Sequence, residues 1–533
     1  MKKLLVYAIP VASLILLIVI GVIVTSPASE PSPPEDSGIP AEPIANDDRY
    51  SELTGDMKYY RNPDYPQGYS NPVAHLEAPQ HPFMAPNDRN NNMHCDAYMT
   101  GTNEVSGPLG ASPQIVSSYL GFKMCATNLF DAEGRIMSMC ANVSGPELRL
   151  HDAQTLNTLA TYRLPNRPQG WEDDPIGPLQ DTSGGAYFYI DPQYRAVMGT
   201  FNLTVQVIEY DEGLGDFRLV REYDLSEYLV PKEPPERDKL QPILPDWNGL
   251  WWFVSRYGMV GTLDQDTGEV HTLELKGEEL QNSYTIGEDG VYIISDYAMY
   301  RFHADEEGQP VIDWKVEYDR GTHCKPGMIN HGSGTTPTLI GDVVAIADNA
   351  EPRMNVFFLN RSDGAMLCSI PVFGDGESAT DNCLVGVARE GEDGIEYSVV
   401  VENNYGYLGF PIVDKGRSTV GGLVRIDAVP DGSGGYACKQ VWSSDEISPT
   451  TVPKMSLDNG LVYFYTKYPR EDMIDAWYFT AVDFETGDTV WRVLTGTGLG
   501  YNNHYSPIFI GPQGGTAYVG TLNGLISIRD TAP

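Results

Sequence analysis

From about Ser112 to its end, the chain alternates apolar and polar residues in short runs that are separated by glycine-rich turns. Alternation with a period of two puts successive side chains on opposite faces, which predicts β-strands rather than helices. LVYFYT, which starts at Leu461, and TAYVG, which starts at Thr516, are runs of this kind. With 54 Gly, 39 Pro and 32 Tyr, the composition also favours many strands joined by tight turns.

The strands fall into a repeating unit that has two halves. One half opens with Ser or Thr near a proline and enters a strand, as in GTTPTLIGDVVAIADN and YSPIFIGPQGGTAYVG. The other half is a strand, a polar turn and a return strand, and its best copy is AVDFETGDTVW, Ala481 to Trp491. Turns of the second half lie near residues 152, 210, 264, 304, 360, 427, 483 and 530. This spacing suits the four-stranded blades of a β-propeller.

The number of repeats predicts an all-β propeller of eight four-stranded antiparallel blades. Seven blades is the alternative if the second or third unit is an embellishment. The last unit ends after SIRD and is one strand short. We therefore expect a strand near Ile115 to Phe122 to complete it, because such a closure removes an exposed sheet edge.

The best copy of the repeat also predicts how the blades are held together. Asp483 is suited to accept hydrogen bonds from the backbone amides of its own turn, and Gly487 suits a position with positive φ. The ring of Trp491, on the outgoing strand, is expected to pack against the neighbouring blade. A structural, blade-docking role is therefore predicted for Asp483, Thr486, Gly487 and Trp491.

The order A-x-D-x-x-T-G-x-x-x-W in this copy resembles the tryptophan-docking motif of pyrroloquinoline quinone (PQQ) dehydrogenases, and the resemblance covers about residues 110–533. It implies the PQQ-like β-propeller fold. The dehydrogenases of that family carry an adjacent pair of cysteines over the quinone and hold a calcium ion with Glu, Asn and Asp. This sequence has no Cys-Cys pair, and no motif marks the calcium ligands.

The resemblance leaves two functions open. Similar propellers without a cofactor, such as the outer-membrane assembly factor BamB, serve as scaffolds. We therefore predict a ligand-binding or protein-binding module with no cofactor and no catalytic residue. The alternative is an oxidoreductase that depends on PQQ with calcium or on another metal, or a hydrolase, with its site in the propeller funnel.

Polar residues that suit a ligand concentrate in four loop segments, of which the richest is YDRGTHCKPGMINHGSGTTPTLIGD at residues 318–342. Loops that enter inner strands line one mouth of a propeller channel, so these segments predict a funnel for a saccharide or another polar small molecule. The alternative is that the same side chains only hold their own loops. His81 and His94 are expected at the surface. The funnel candidates are His323, Lys325, Asn330, His331, Asp348, Asn349, Arg353, Asn403, Asn404, Tyr405, Asn503 and His504.

The charge of the chain is strongly negative. Its 35 Lys and Arg face 73 Asp and Glu, which gives a formal net charge of -38. Such a surface repels phosphate backbones and excludes nucleic acid as a partner. It keeps the protein soluble or attracts cations, and we expect a monomeric propeller with a protein or a polar small molecule as its partner.

The N-terminus predicts an exported protein. After Lys2 and Lys3, an uncharged apolar run extends from Leu4 to Val24, long enough to span a bilayer. We predict a transmembrane anchor at 1–26, a disordered Pro-rich and acidic linker at 27–49, an irregular extension at 50–107 and the propeller at 108–533. The propeller then lies on the extracytoplasmic side of the cell membrane. A cleaved signal peptide, and a secreted or periplasmic protein, is the alternative.

The seven cysteines form no C-x-x-C motif, which removes the usual signature of zinc and thioredoxin-like sites. In an exported protein some of them are expected to pair. Cys125 and Cys140 are placed to cross-link neighbouring strands. Because seven is odd, at least one thiol stays free or pairs elsewhere.

Overall fold

A computed structural model describes residues 53–142, 144–167, 181–229, 238–409 and 413–531. The predicted anchor at 1–26 and linker at 27–49 lie outside these residues. Within the described ranges, no helix has the length and apolar character that a membrane crossing requires.

The described residues form 34 strands and three short 3-10 helices. The helices are Gly55–Met57, Asn87–Arg89 and Leu499–Tyr501. Three strands precede the first blade: β1 (Tyr59–Arg61), β2 (Thr102–Asn103) and β3 (Pro113–Ser117).

The first four blades are antiparallel sheets of four consecutive strands, each strand bonded to the next along the chain. Blade 1 contains β4 (Met124–Phe130), β5 (Ile136–Asn142), β6 (Gly145–His151) and β7 (Thr158–Arg163). Blade 2 contains β8 (Tyr189–Ile190), β9 (Ala196–Gly199), β10 (Thr204–Asp211) and β11 (Asp216–Asp224). Blade 3 contains β12 (Leu240–Pro245), β13 (Trp251–Ser255), β14 (Met259–Leu263) and β15 (Val270–Glu274). Blade 4 contains β16 (Thr285–Gly287), β17 (Gly290–Ile294), β18 (Ala298–Ala304) and β19 (Pro310–Glu317).

The remaining blades follow the same plan, except that the last one takes its fourth strand from before blade 1. Blade 5 contains β20 (Thr338–Ile340), β21 (Val343–Ala347), β22 (Asn355–Asn360) and β23 (Met366–Pro371). Blade 6 contains β24 (Val385–Gly391), β25 (Gly394–Glu402), β26 (Leu423–Pro430) and β27 (Tyr436–Ser444). Blade 7 contains β28 (Lys454–Ser456), β29 (Leu461–Thr466), β30 (Ala476–Asp483) and β31 (Thr489–Thr497). Blade 8 contains β32 (Ile508–Ile510), β33 (Thr516–Thr521), β34 (Gly524–Asp530) and β3.

The eight-bladed ring confirms the predicted fold class. β3 pairs with β34 in antiparallel register, Ile115 opposite Ile528, and so supplies the strand that the last unit lacks. The eight turns identified by the repeat lie at or near the end of the third strand of each blade. The second strands are mostly buried runs such as VVAIA in β21 and LVYFYT in β29, because each is covered by a blade on either side.

The predicted blade-docking turn forms as expected. Asp483 Oδ1 accepts hydrogen bonds from the backbone N–H groups of Glu485 at 3.0 Å and Thr486 at 2.9 Å. Gly487 has a φ of 79°. The indole N–H of Trp442, on the outer strand of blade 6, donates to Phe484 O of this turn at 2.8 Å. The turn of blade 7 therefore receives the tryptophan of blade 6.

The same contact recurs elsewhere in the ring. Trp314 of blade 4 donates its indole N–H to Arg361 O of blade 5 at 3.0 Å. Tyr223 of blade 2 donates its hydroxyl to Gln265 O of blade 3 at 2.5 Å. The buried ring of Trp491 packs against Gly110, just before the closing strand. An outer-strand aromatic residue thus links blade 2 to blade 3, blade 4 to blade 5 and blade 6 to blade 7, and the blade-docking role of Trp491 stays a prediction.

Gly487 and Gly268 occupy the same position in their turns, so alanine substitutions at the two sites distinguish the cost of backbone strain from the cost of lost packing. Gly487→Ala places a Cβ 2.6 Å from a ring atom of Trp442, whereas Gly268→Ala, at a φ of 77°, has nothing within 4 Å. We expect Gly268→Ala to cost about 1 kcal/mol of unfolding free energy through positive φ alone. Gly487→Ala is expected to cost about 2–4 kcal/mol, since the overlap adds to the same strain. Urea unfolding of both variants measures the difference, and equal losses would show that the Trp442 contact contributes nothing.

Residues 85–103, which we call the plug segment, bond to the first strands of most blades from inside the ring. They join the inner ends of six blades at the face where the first and second strands are connected. Six backbone N–H groups of the blades donate to carbonyl oxygens of this segment: Ile190 to Asn91 at 2.9 Å, Ile286 to Ala97 at 3.1 Å, Leu339 to Tyr98 at 2.9 Å, Gly386 to Thr100 at 2.8 Å, Met455 to Gly101 at 3.0 Å and Leu457 to Asn103 at 2.9 Å. In the other direction, Asn90 Nδ2 of the segment donates to Ile510 O at 2.9 Å. The segment therefore ties six of the eight blades together.

Burial of the plug segment corrects one expectation from the sequence. His81 and His94 were expected at the surface, and both are buried, at 1% and 3% exposure. The His81 ring lies 4.0 Å from the Trp247 ring, and His94 lies inside the plug segment. The strand-poor, polar composition of residues 81–103 hides this burial, because many of their backbone groups bond to the blades rather than to water.

Two disulfides occur among the described residues. Cys125–Cys140 links neighbouring strands of blade 1, as predicted, and Cys368–Cys438 links the outer strands of blades 5 and 6. Cys95, Cys324 and Cys383 are free thiols.

Candidate functional site

The loops that carry the predicted site residues all emerge at one end of the blades. In an antiparallel four-stranded blade, the connection into the first strand and the turn between the second and third strands lie at the same end. We call this end the loop face. The plug segment bonds to the first strands nearer the opposite end.

The four polar loop clusters predicted from the sequence contact one another on the loop face. Asn349 donates to Arg320 O at 3.0 Å, which joins the loops before and within blade 5. Gly406 N donates to Pro326 O at 3.0 Å. Tyr505 donates its hydroxyl to Gly327 O at 3.2 Å. Loops of blades 5, 6 and 8 thus form one connected network.

Most of the predicted residues use their polar atoms to hold these loops. Asn403 donates to Glu377 O and Gly421 O at 2.8 and 2.9 Å. Lys325 donates to Ala350 O at 2.6 Å. Their partners are therefore backbone carbonyls, which supports the loop-holding alternative for these two residues.

The other candidates are distributed as follows. Asp348, Asn349, Asn404, Asn503, Asn330 and His504 are buried. His331 and Tyr405 are half-buried, and Arg353 pairs with Asp375 at 3.1 Å. His323 is exposed and lies 2.9 Å from Glu351. The ligand-binding role of all twelve residues stays a prediction.

Burial changes the acidity of one candidate. Asp348 accepts hydrogen bonds from Asn355 N at 2.5 Å and Asn355 Nδ2 at 2.8 Å. Burial nevertheless raises its pKa to about 6. Asp348 therefore loses its proton in folded protein only near neutral pH, and it holds the turn between β21 and β22 in either state.

Glu402 is a buried carboxyl group that the sequence analysis did not select. It ends β25, and its Oε1 accepts hydrogen bonds from Asn404 Nδ2, at 2.8 Å, and from Asn382 Nδ2. Burial raises the pKa of Glu402 to about 8. A glutamate directly after the apolar run SVVV was the available signal, because glutamate is rarely fully buried without a specific role.

The raised pKa of Glu402 predicts a pH-dependent stability. Between its ordinary pKa of 4.5 and about 8, the folded chain holds this proton and the unfolded chain does not, so stability falls as pH rises. We expect Glu402→Gln to gain stability relative to wild type by up to about 1.4 kcal/mol per pH unit across this window. Urea unfolding at pH 5, 6, 7 and 8 gives the difference. A difference that stays constant with pH would show that Glu402 ionises alike in both states.

Below Glu402, the channel holds a second group of buried polar residues, which we call the floor cluster. It comprises Cys95 and Asp96 of the plug segment with His94, Cys383 of blade 6 and Lys454 of blade 7. Burial raises the pKa of Cys95 to about 12 and of Cys383 to about 11, and Lys454 acts against this rise in both. The thiols are therefore protonated at neutral pH.

The floor cluster does not reproduce the quinone site that the resemblance implies. That site needs two adjacent cysteines, whereas Cys95 and Cys383 are separate thiols on the plug segment and on blade 6. We derive no step through a quinone from these residues. The prediction that the protein binds no cofactor stays a prediction.

A third feature of the loop face is a set of exposed large apolar side chains, which we call the apolar arc. They come from the loops of four consecutive blades, running from blade 6 to blade 1. Its members are Leu408, Val420, Met473, Leu499, Tyr119 and Phe122.

Hydrogen bonds tie the loops of the apolar arc to one another. Each loop is bonded to the next around the ring, so the loops that carry the arc are tied together as neighbours. The bonds are Gly416 N to Asp475 Oδ1 at 2.7 Å, Gly498 N to Asp475 O at 2.8 Å, Asn523 N to Gly500 O at 3.1 Å and Leu120 N to Asn523 O at 2.6 Å. Beside Met473, a depression of about 670 Å³ is lined by residues that include Arg417 and Arg470.

The opposite face carries a larger cavity of about 1200 Å³ between residues 75–104 and blades 4 to 6. At its wall, Arg361 donates to the Tyr98 hydroxyl at 2.9 Å and pairs with Glu288 at 3.3 Å and with Asp289. These contacts fix the plug segment to blades 4 and 5. Both ion pairs involve Arg361, which is the one arginine in the lining of this cavity, and most other charged residues there are acidic. The lining therefore favours no particular ligand.

Comparison with known proteins places the fold. No family model matches the sequence. An uncharacterised protein of Archaeoglobus fulgidus is 24% identical over 311 residues, which are 52% of this chain and 58% of that protein. The chain therefore spans little more than half the length of this curated relative.

Two solved structures are similar to the chain. Quinohemoprotein alcohol dehydrogenase from Comamonas testosteroni gives a TM-score of 0.54 at 11% identity over 85% of this chain and 81% of its own. BamB from Moraxella catarrhalis gives a TM-score of 0.44 at 13% identity over 78% of this chain and 97% of its own. The similarity to the dehydrogenase shows the fold, and it confirms the resemblance to PQQ-like β-propellers.

Proposed function

We propose that this chain is a protein-binding module whose loop face docks a partner protein at the outer side of the cell membrane. The apolar arc is the observation that carries the proposal. Leu408 is 62% exposed and Phe122 is 53% exposed, although burial of such side chains is normally favourable. A contiguous set of exposed apolar side chains on a soluble face is characteristic of an interaction surface.

The position of the apolar arc supports docking over accidental exposure. Its members belong to adjacent loops, and four of them, Met473, Leu408, Tyr119 and Phe122, are long or aromatic side chains of the kind that fill partner pockets. The loops are bonded to one another, so docking costs little ordering entropy. The N-terminal anchor predicted from the sequence supports an envelope location, and it is part of the proposal.

Site-specific photo-cross-linking in the producing cells tests this function. The photoreactive residue p-benzoylphenylalanine replaces Leu408 or Phe122 on the arc, or Leu214 as a control. Leu214 is 69% exposed and lies in the turn between β10 and β11, at the opposite end of blade 2. We expect both arc positions to give a product with the same protein and the control position to give none.

Two results would contradict the proposal. Equal cross-linking from all three positions would show that exposure, rather than the arc, determines contact. A product of the size of two copies of this chain, and no other, would show that the arc is a self-association surface. The whole chain, residues 1–533, is used in each case, so the predicted anchor and linker are included.

A further inference from the structure

Lys454 is a fully buried amine whose hydrogen-bonding capacity is unused. It has 0% exposure, and its Nζ has no hydrogen-bond partner among the described residues. The centre of the Phe509 ring lies 5.9 Å from the ammonium group, and the ring accepts no hydrogen bond from it. A buried ammonium without acceptors is costly, so a group that accepts its hydrogen bonds is expected nearby.

His94 has the same property in the same place. It is 3% exposed, and neither ring nitrogen has a hydrogen-bond partner in the described part of the chain. Burial, then the charge of Lys454, lowers its pKa well below the ordinary value. Gly101 links the two residues through the backbone, since its N–H donates to His94 O at 3.0 Å and its carbonyl accepts from Met455 N at 3.0 Å. His94 and Lys454 therefore lie close together, and each offers an N–H that nothing accepts among the described residues.

The nearest acid does not fill this gap. Asp96 directs its carboxylate into its own turn, where Thr100 N lies 3.3 Å from Oδ1 and Thr100 Oγ1 lies 2.5 Å from Oδ2. It balances part of the charge of Lys454 from a distance. Asp96 therefore leaves the Lys454 ammonium without a hydrogen-bond acceptor among the described residues.

The backbone fixes these groups around one point. Met455, next to Lys454, donates to Gly101 O at 3.0 Å, and Gly386, three residues after Cys383, donates to Thr100 O at 2.8 Å. The plug segment is thereby held directly under both blades. The plug segment borders the floor cluster on one side, and Asp96 of the cluster also lines the cavity on the opposite face.

We propose that Lys454 and His94 form a small-anion site at the floor of the channel, which takes a halide ion or the carboxylate group of a small molecule. Two N–H donors, one of them cationic, match a compact acceptor with negative charge. The uncharged thiols of Cys95 and Cys383 border the site without competing for the donors. This site is independent of the apolar arc, and neither proposal needs the other.

Diffraction from crystals of the protein grown in sodium bromide tests the site, because bromide is located directly by anomalous scattering. We expect a bromide ion in contact with Lys454 and His94, and its loss in Lys454→Met, which keeps the length and removes the charge. Lys123 is the internal control, since it is also buried but pairs with Glu147 at 2.6 Å, and no bromide is expected there. Bromide at the surface with only water at Lys454 would overturn the proposal.

Two further variants keep the test decisive if Lys454→Met fails to fold. Lys454→Arg retains the charge and is expected to retain the bromide, and His94→Gln is expected to lower its occupancy. Unchanged occupancy in His94→Gln would exclude His94 from the site. Adding formate to the same crystals distinguishes the two kinds of anion. Displacement of bromide by formate shows that the site also binds a carboxylate, and retention of bromide shows that it binds only a halide.

The pH dependence of bromide binding gives an independent measurement in solution. The titratable groups around the site are Asp96, Glu402, Asp381, Cys95, Cys383, Tyr187, Tyr505 and His94. Burial raises the pKa of Asp96 to about 6 and that of Glu402 to about 8, so negative charge builds up as pH rises. Bromide is therefore expected to bind about fivefold or more tightly at pH 5 than at pH 8. Affinity that rises with pH would contradict an anion site here.

Discussion

A chain that begins at residue 108 and lacks the plug segment is expected not to fold cooperatively. The deletion leaves the amides of Ile286, Leu339, Gly386 and Met455 without their acceptors and exposes the apolar interior that the segment covers. Each buried donor left unpaired costs about 1–3 kcal/mol. Since whole domains are stable by only about 5–15 kcal/mol, these losses together are comparable to the stability of the fold.

A second deletion is the control for this experiment. A chain that begins at residue 63 keeps the plug segment. Of the described residues it loses the buried Leu53, the short helix Gly55–Met57 and β1, a three-residue strand at the outer edge of blade 7. We expect it to fold with a lower urea midpoint and one cooperative transition. Near-UV circular dichroism and urea unfolding compare both deletions with the full chain. A cooperative transition at the full-chain midpoint in the larger deletion would show that the plug segment is dispensable.

The regular part of the fold was predictable from the sequence because it repeats. Period-two alternation marks each strand, and turns with an Asp or Asn followed by Gly mark the end of each third strand, as at Asp483 and Asp264. Eight such turns, together with a last unit that lacks one strand, were enough to predict the ring and its closure by β3. The docking of Trp442 and Trp491 follows from the same repeat.

The plug segment was not predictable in the same way. Its sequence NDRNNNMHCDAYMTGTN has neither strand nor helix periodicity, and its polar residues indicate a surface loop. They are buried because their partners come from blades hundreds of residues away, as Asn90 shows by bonding to Ile510 O. A pattern within one segment carries no information about such distant partners.

The candidate site shows a similar limit. The sequence identified the polar loops, and the structure brings them together on one face, but residue type does not reveal where a side chain is directed. Asn403 and Lys325 bond to backbone carbonyls, whereas the buried, unpartnered Lys454 looked like an ordinary strand residue. The apolar arc was missed because its members are scattered over loops that adjoin only in the closed ring.

The largest effect on function is expected from polar substitution of the apolar arc. In a typical interface, a few central residues each contribute about 2 kcal/mol or more, and large buried side chains dominate. Leu408→Ser with Phe122→Ser removes two arc members that lie on loops of different blades. Their exposure in the free protein means that folding is expected to be unaffected, while partner affinity falls by about 30-fold or more.

Docking of a partner protein on the loop face is tested by measuring how tightly the cross-linked partner binds purified variants. Wild type, the Leu408→Ser and Phe122→Ser double variant, and Leu214→Ser are compared by titration after their urea midpoints have been shown to agree. We expect the double variant to bind the partner about 30-fold or more weakly than wild type, and we expect Leu214→Ser to bind it with unchanged affinity. Equal affinities for all three proteins would contradict docking on the loop face.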